Sequence, residues 1–490
     1  MISQALREDP GRVALEFKGA SIDCRAMMSM VDGLVSQLDQ DAIPHSAPVA
    51  LVARNRPAIA TALIALVEAR RAATNLYAFQ SPEALARDIT SGRFAAIAAE
   101  ESDWSQPVVQ AARETGSLGL MLNWEGREAV TRVPGLERAG PGPFRDPLRD
   151  AGLEILSSGT TGPPKNVPIP NRVLKRAVES IASGGFDPKT MAPDIVVWPV
   201  AGIGGTCCII GDFALKRTIV LLERFEINEF LVAVRKHRPT AVNVPPAVLR
   251  TLLDFKVPKE ALASLRYVYG GSAPLTVDLQ DAFETEYGIP VIWAYGATEF
   301  CGVVSSWTPE LHKKFRELKR GSIGRAVAGV EIRIVDPESG EPLQTGNVGY
   351  LEARAVEVNP NWVRTTDLAM MDDDGFIFHK GRGDGAIVRG GFKIIPEKVD
   401  DALRTHPAVL DAATVGLPDA RLGQIPVAAV EVRTGACAPT AEELDRHLRD
   451  RLTAPHIPVR YAVLERLPRT SSMKPNLAAI RSLFDPASPS

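Results

Sequence analysis

The sequence predicts an α/β fold: a large N-terminal domain of doubly wound sheets plus a small β unit, followed by a mobile small α+β C-terminal domain. Three observations carry that expectation. Strand-like and helix-like segments alternate through the first 130 residues and again from 171 to 300, the rhythm of parallel βαβ units. From about residue 321 the chain turns to β-branched residues broken by short turns, which favours antiparallel strands. After the glycine-dense GRGDG at 381–385 comes a compact run of hairpin, helix and strands. With 490 residues the chain is also too long for one ordinary core.

The elements follow in order. CRAMMSMVDGLVSQL (24–38) has apolar residues at helical spacing, and APVALVA (47–53) reads as a short buried strand with a helix after it to about Arg71. NRVLKRAVESIASGG reads as a helix capped by Asn171 and stopped at Gly184 and Gly185. DIVVWPV and TIVLL read as strands, INEFLVAVRKHR as a helix, and TAVNVPP as a strand entering a turn. LRYVYGGSAPL (265–275) and VIWAYGATE (291–299) are strands running into glycine turns. GIGGT (202–206) lacks the spacing of a dinucleotide fingerprint and reads as a tight packing turn. Beyond 321, DPESGE and TGN mark turns between antiparallel strands. In the tail, AIVRGGFKII is a hairpin, PEKVDDALRTH a helix, VLDAATVGL and IPVAAVEVR strands, and TAEELDRHLRDRL a helix. The boundaries expected are 1–382 for the large domain, 383–385 for a hinge and 386–490 for a C-terminal lid.

Hydrophobic residues make up 45% and charged residues 23%, the mix of a soluble globular protein. A net charge of -3 offers no basic field for nucleic acid. No apolar run follows a basic start at the N-terminus, and AIATALIALVEA (58–69) is broken by charge before it could span a bilayer. Five dispersed cysteines without a C-x-x-C pair argue for reduced thiols, and seven histidines show no H-E-x-x-H spacing. The expectation is a cytoplasmic protein with no membrane span and no nucleic-acid partner.

The chemistry starts at SSGTTGPPK (157–165). Glycines let backbone approach an anion, hydroxyls and N–H groups donate to its oxygens, and Lys165 adds charge. It is not a standard P-loop: Pro164 and Asn166 break that pattern, and Pro168 and Pro170 forbid a following helix. The loop must therefore join strand to strand.

Together with GGSAPL (270–275), YGATE (295–299), TTD (365–367), GRGDGAIVRGGFKIIPEKVDDAL (381–403) and LPRTSSMKPN (467–476), this loop resembles the adenylate-forming superfamily. That superfamily holds acyl-CoA synthetases, luciferases and peptide-synthetase adenylation domains. Six motifs in the right order cover nearly the whole chain. The resemblance implies ATP binding by Ser158, Thr160, Thr161 and Lys165, and by Gly271, Ser272, Ala273, Pro274, Tyr295 and Gly296 around the adenine. It implies that Asp367 and Arg382 hold the ribose, that Lys474 acts in catalysis with Thr298 and Glu299, and that Glu299 holds Mg²⁺. Asp384 would be the hinge, with Gly383 and Gly385 easing its rotation, and Gly391 would line a thiol channel. Gly202, Ile203, Tyr269, Phe300 and Cys301 would line the acyl pocket. The residue types suit the chemistry. A carboxylate is already a nucleophile, so adenylation needs alignment and positive charge rather than a base. Alone, Lys474 reads as a solvated tail lysine, Glu299 as a loop carboxylate, Asp367 as a turn residue and Tyr295 as a core aromatic.

The chain departs from the family at named places. A P-L-F-H-like segment is replaced by Pro199-Val200-Ala201-Gly202, with glycine where a histidine is usual. Thr366 and Met473 stand where glycines are usual. Val388 replaces the second lysine of luciferases, which argues against light emission, and no Asp for a substrate ammonium is present near Pro199–Gly202. The expected activity is AMP-forming ligation of a small carboxylic acid to coenzyme A, with ATP and Mg²⁺. The alternatives are loading of a carrier-protein phosphopantetheine, and a non-catalytic nucleotide-binding protein of the same fold. The resemblance also allows a homodimer.

Overall fold

VALVA at 49–53 is buried at every position, as a strand covered on both faces requires. In the computed structural model it lies at the centre of a sheet in the order Val130–Arg132, Leu118–Leu122, Ala96–Glu100, Val49–Ala53, Ala73–Tyr77, Gly152–Ser157, Lys165–Pro170. The five inner strands run parallel, and the two outer ones are antiparallel to their neighbours. The structure describes residues 2–124, 128–142, 144–146, 152–157, 165–175, 191–271, 275–297, 300, 302–355, 360–383, 385–389, 392–419, 422–470 and 473–484. Two compact units emerge, 1–157 with 165–314, and 315–490.

In the first unit, helix Cys24–Gln40 starts where Asp23 accepts from the Ala26 N–H at 2.8 Å, a side-chain cap. Helices Pro82–Gly92 and Gln106–Thr115 press Leu85, Ile89, Val108 and Ala112 onto Val52, Ile97 and Ala99 of the sheet. A second sheet holds the parallel strands Ala241–Asn243, Tyr267–Gly270 and Val291–Ala297, with Gly302–Ser306 antiparallel to the last. A third joins Asp194–Val196 and Ile219–Leu221 to Val13–Phe17 and Ala20–Asp23. The expected helix at 171 is present over 171–175, and its continuation lies outside the described residues.

GIGGT is not a turn. Gly202 is the N-cap of helix Ile203–Ala214, extended at φ -97° and ψ 163°. Its glycines serve packing instead. A Cβ on Gly205 would stand 2.2 Å from the Pro199 carbonyl oxygen, so only glycine lets the first helical turn lie on the preceding backbone.

In the second unit, Val330–Val335, Val348–Ala355, Val363–Met371 and Ile377–Arg382 form an antiparallel sheet, as the β-branched pattern predicts. Hairpin Ile387–Arg389/Phe392–Ile394 follows, then a sheet built on the long pair Val409–Asp419 and Gly423–Val432. Helices Pro396–Arg404 and Ala441–Arg449 bury Val399, Leu403, Leu444 and Leu448 against one side of that sheet. Leu467, Ile480 and Phe484 pack with Val415, Leu417 and Val427 in a separate core.

Candidate active site

The strands Gly152–Ser157 and Lys165–Pro170 pair antiparallel, with Ser157 opposite Lys165. SSGTTGPPK therefore closes a hairpin and joins strand to strand, as its prolines require. Ser158, Thr160 and Thr161 lie outside the described residues, as does the side chain of Lys165.

GGSAPL and YGATE leave neighbouring parallel strands at the same, carboxyl end, with Gly270 opposite Trp293. Crevices beyond the carboxyl ends of parallel strands are where open α/β sheets take ligands. The glycines here also have packing reasons. A Cβ on Gly271 would come 2.7 Å from the Ala294 carbonyl oxygen, and one on Gly296 would come 2.1 Å from that of Gly302. Gly296 sits where the pairing with Gly302–Ser306 slips, next to Tyr295, so the bulge that turns the chain there depends on it. Ser272, Ala273, Pro274, Thr298, Glu299 and Cys301 lie outside the described residues.

Around the expected acyl pocket, Tyr269 is partly exposed and Phe300 is buried. Burial, then the neighbouring Tyr267 and Glu310, push the Tyr269 phenol up, so it stays a neutral hydroxyl. A Cβ on Gly202 would meet only the Pro199 carbonyl oxygen, at 3.6 Å, which leaves open space where a ring is usual. Ile203, the first helical residue, is half-buried beside it.

Sequence reasoning missed what holds this segment. Asn55, just past the end of Val49–Ala53, donates to the carbonyls of Trp198 at 2.9 Å and Leu222 at 3.1 Å and accepts from the Val200 N–H at 2.7 Å. Asn75 and Thr206 both donate to the Val200 carbonyl, at 3.2 and 2.9 Å. Three fully or nearly buried polar side chains thus fix residues 198–200. For Asn55 and Asn75 the one signal in the sequence is a polar residue just after or within an apolar strand.

In the second unit Asp367 stands opposite Arg382 on paired antiparallel strands, so the two residues assigned to the ribose are neighbours. The side chain of Arg382 lies outside the described residues. Thr365 donates to the Leu351 carbonyl at 2.8 Å and accepts from the Asp367 N–H at 3.2 Å, which sets the backbone of TTD. His379, not anticipated from the sequence, places Nε2 3.5 Å from Asp367 Oδ1, while its Nδ1 accepts from the Gly381 N–H at 3.3 Å. That second bond leaves the Nε2 proton facing the carboxylate.

The expected hinge glycines are not equivalent. The Gly383 N–H donates to the Thr366 carbonyl at 2.7 Å, and a Cβ there would stand 2.3 Å from the Tyr350 ring. Gly385 has nothing within 4 Å of its missing Cβ. Asp384 and Gly391 lie outside the described residues. Lys474 is exposed at the end of a tight turn: Thr470 donates through N–H and hydroxyl to the Lys474 carbonyl, at 2.7 and 3.1 Å. Met473 takes φ +64° in that turn, which explains why a glycine is usual there.

Among the described residues no cluster of three or more metal-ligating side chains exists, and no helix is long and apolar enough to cross a membrane. Comparison with known proteins gives a match to the AMP-binding enzyme family over residues 2–358 and to the AMP-binding enzyme C-terminal domain over 398–474. The chain is 30% identical over 369 residues to a probable CoA ligase, CCL5, of Humulus lupulus, covering 71% of this chain and 65% of that protein. It is 33% identical over 312 residues to 4-coumarate–CoA ligase 3 of Oryza sativa subsp. japonica, covering 59% and 56%. The chain thus spans less than two thirds of the length of these relatives. Its fold is similar to o-succinylbenzoate CoA synthetase of Bacillus subtilis, at 23% identity. The structure with the acyl-adenylate OSB-AMP gives a TM-score of 0.79 over 100% of this chain and 98% of that one. The structure with ATP and magnesium gives 0.77 over 98% of each.

Proposed function

The chain belongs to the AMP-binding enzyme family, and from that membership we propose that it joins a carboxylic acid to coenzyme A at the expense of ATP. The acid's carboxylate attacks the α-phosphorus, pyrophosphate leaves, and the acyl-adenylate passes its acyl group to the thiol. The observation that carries the reading is positional. GGSAPL and YGATE leave adjacent strands at one carboxyl edge, and Asp367 faces Arg382, although each pair of segments is separate in sequence. The names of the curated relatives favour coenzyme A over a carrier protein as acceptor.

In this reading the hairpin loop 158–164 with Lys165 grips the β- and γ-phosphates, and Asp367 accepts the ribose hydroxyls. Lys474 places its charge between carboxylate and phosphate, where negative charge builds up. Glu299 follows the carboxyl end of Val291–Ala297, and a carboxylate there suits magnesium, a hard cation that takes oxygen ligands. When bound, magnesium neutralises the phosphate oxygens. Rotation about Asp384 then presents the second half-reaction.

The acid is proposed to carry a neutral, largely apolar tail, aromatic or short-to-medium aliphatic. Ile203, Phe300 and a neutral Tyr269 offer no charge partner, and an unpaired buried charge is costly. Pyrophosphate release with benzoate-, hexanoate-, malonate- and amino-acid-type substrates tests both levels. Turnover with one of the first two, dependent on coenzyme A for thioester, is expected. Preference for malonate or an amino acid would refute the pocket, and no release with any acid would refute the activity.

A further inference from the structure

One guanidinium in the second unit reaches three acceptors that belong to different parts of the chain. Arg469 Nη2 donates to Asp411 Oδ2 at 2.8 Å and to Glu431 Oε2 at 2.9 Å, and Nη1 donates to the Met473 carbonyl at 3.1 Å. Asp411 and Glu431 face each other on the paired strands Val409–Asp419 and Gly423–Val432. Two carboxylates so placed repel unless a cation lies across them. Behind them, Arg404 on helix Pro396–Arg404 donates to Asp411 Oδ1 at 2.8 Å, and Glu431 Oε2 also accepts the Leu467 N–H at 3.0 Å. Burial alone would raise the Asp411 carboxyl, but Arg404 and Arg469 outweigh it and hold it below the usual range, so it stays an anion.

The sheet therefore fixes where Arg469 lies, and Arg469 fixes the peptide just before Lys474. The turn itself carries backbone strain. Its described bonds include those of Thr470 to Lys474, of the Met473 N–H to the Thr470 carbonyl at 2.9 Å and of the Asn476 N–H to the Pro468 carbonyl at 2.8 Å, and Met473 is left-handed. A strained turn with exposed hydrogen bonds opens readily unless something outside it holds it.

We propose that Arg469 is a positioning residue for adenylation: it ties the Thr470–Met473 turn to the carboxylate pair Asp411/Glu431 and so sets where Lys474 emerges. The proposal rests on reading Lys474 as the charge clamp of the first half-reaction. An error of about 1 Å in such a group is enough to lose on the order of 10²-fold in rate. Lysine cannot replace this arginine, because one ammonium does not span two carboxylates and a carbonyl in fixed geometry.

The test compares Arg469→Met and Arg469→Lys with the wild type in the full chain. Adenylation is expected to fall by about 10-fold or more in both, through kcat, while thioester formation from pre-made acyl-adenylate stays within about 2-fold. Amide exchange at residues 468–476 should quicken by about 10-fold, with strands 409–419 and 423–432 unchanged. Parallel loss of both half-reactions, or wild-type rates and exchange in Arg469→Lys, would overturn the proposal. Exchange needs no substrate. A wild type that activates no acid would refute the proposed function, and unchanged exchange in Arg469→Met would separately refute the anchor. Should Arg469→Met fail to fold, Arg469→Lys retains the charge between the strands and decides alone.

Discussion

Met473 is held left-handed at φ +64° one residue before Lys474. For a residue with a Cβ that conformation costs roughly 1–2 kcal/mol, and glycine returns roughly 0.5–1 of it to the unfolded chain. Met473→Gly should therefore stabilise the protein by about 0.5–1 kcal/mol, read from the denaturation midpoint. The role proposed for Lys474 makes a different prediction. If it supplies charge to the carboxylate–phosphate contact, Lys474→Ala should slow adenylation by about 10²-fold or more and leave thioester formation from pre-made acyl-adenylate intact. Equal loss in both half-reactions would show that the side chain acts elsewhere. The candidate chemical residues could be named from the sequence because each sits in a motif. Asn55, Asn75, His379 and Arg469 were not, since each draws its meaning from a partner far along the chain or across a sheet.

Among the elements, the segment 198–200 is held most extensively by Asn55. Asn55→Ala would strip partners from two carbonyls and the Val200 N–H, and should destabilise by roughly 3 kcal/mol, given about 1–3 for each buried group left unsatisfied. It should also raise KM for the acid, if that segment borders the pocket. Helix Ile203–Ala214 carries a second sensitivity. Burial, and then the nearby Asp194 charge, push the Asp212 carboxyl well up, although Arg217 opposes both. A raised carboxyl binds its proton more tightly in the folded state, so this group favours folding at low pH. That contribution is lost as pH climbs from the ordinary carboxylate range towards the folded value. Asp212→Asn should then gain on the wild type in melting temperature from pH 5 to pH 8, and a constant gap would contradict this. The same helix shows why elements were missed. GIGGT carries three glycines, which locally signal a turn, yet Gly202 caps the helix and Gly205 lets it lie against Pro199. Strand Tyr461–Leu464 and helix Leu477–Ser482 carry too few residues for a period, and they are ordered by pairing with Gly423–Val432 and by the core around Ile480. Longer periodic segments, such as Cys24–Gln40 and Ala441–Arg449, were plain in the sequence.

For the whole molecule the proposed activity raises the question of how two half-reactions would share one chain. Gly383 is pinned by Thr366 and Tyr350, so the proposed rotation is expected after it, at Asp384. Asp384→Pro fixes φ there. Adenylation should continue at close to the wild-type rate while thioester formation falls by about 10-fold or more; normal thioester formation would exclude Asp384 as the pivot. A quieter property comes from the strand that follows the phosphate loop. Pro168 pairs with Glu154 and Pro170 with Gly152, alternate positions on the last described strand of its sheet. A residue with no N–H fits the ladder only where that group would point away from the neighbouring strand. The outward side of Lys165–Pro170 thus lacks donors at two alternate positions. A strand from another molecule would find carbonyls there but not the N–H groups it needs, so the sheet resists lengthening into an aggregate along that side. The prolines that keep this segment from becoming a helix also keep it from becoming a template.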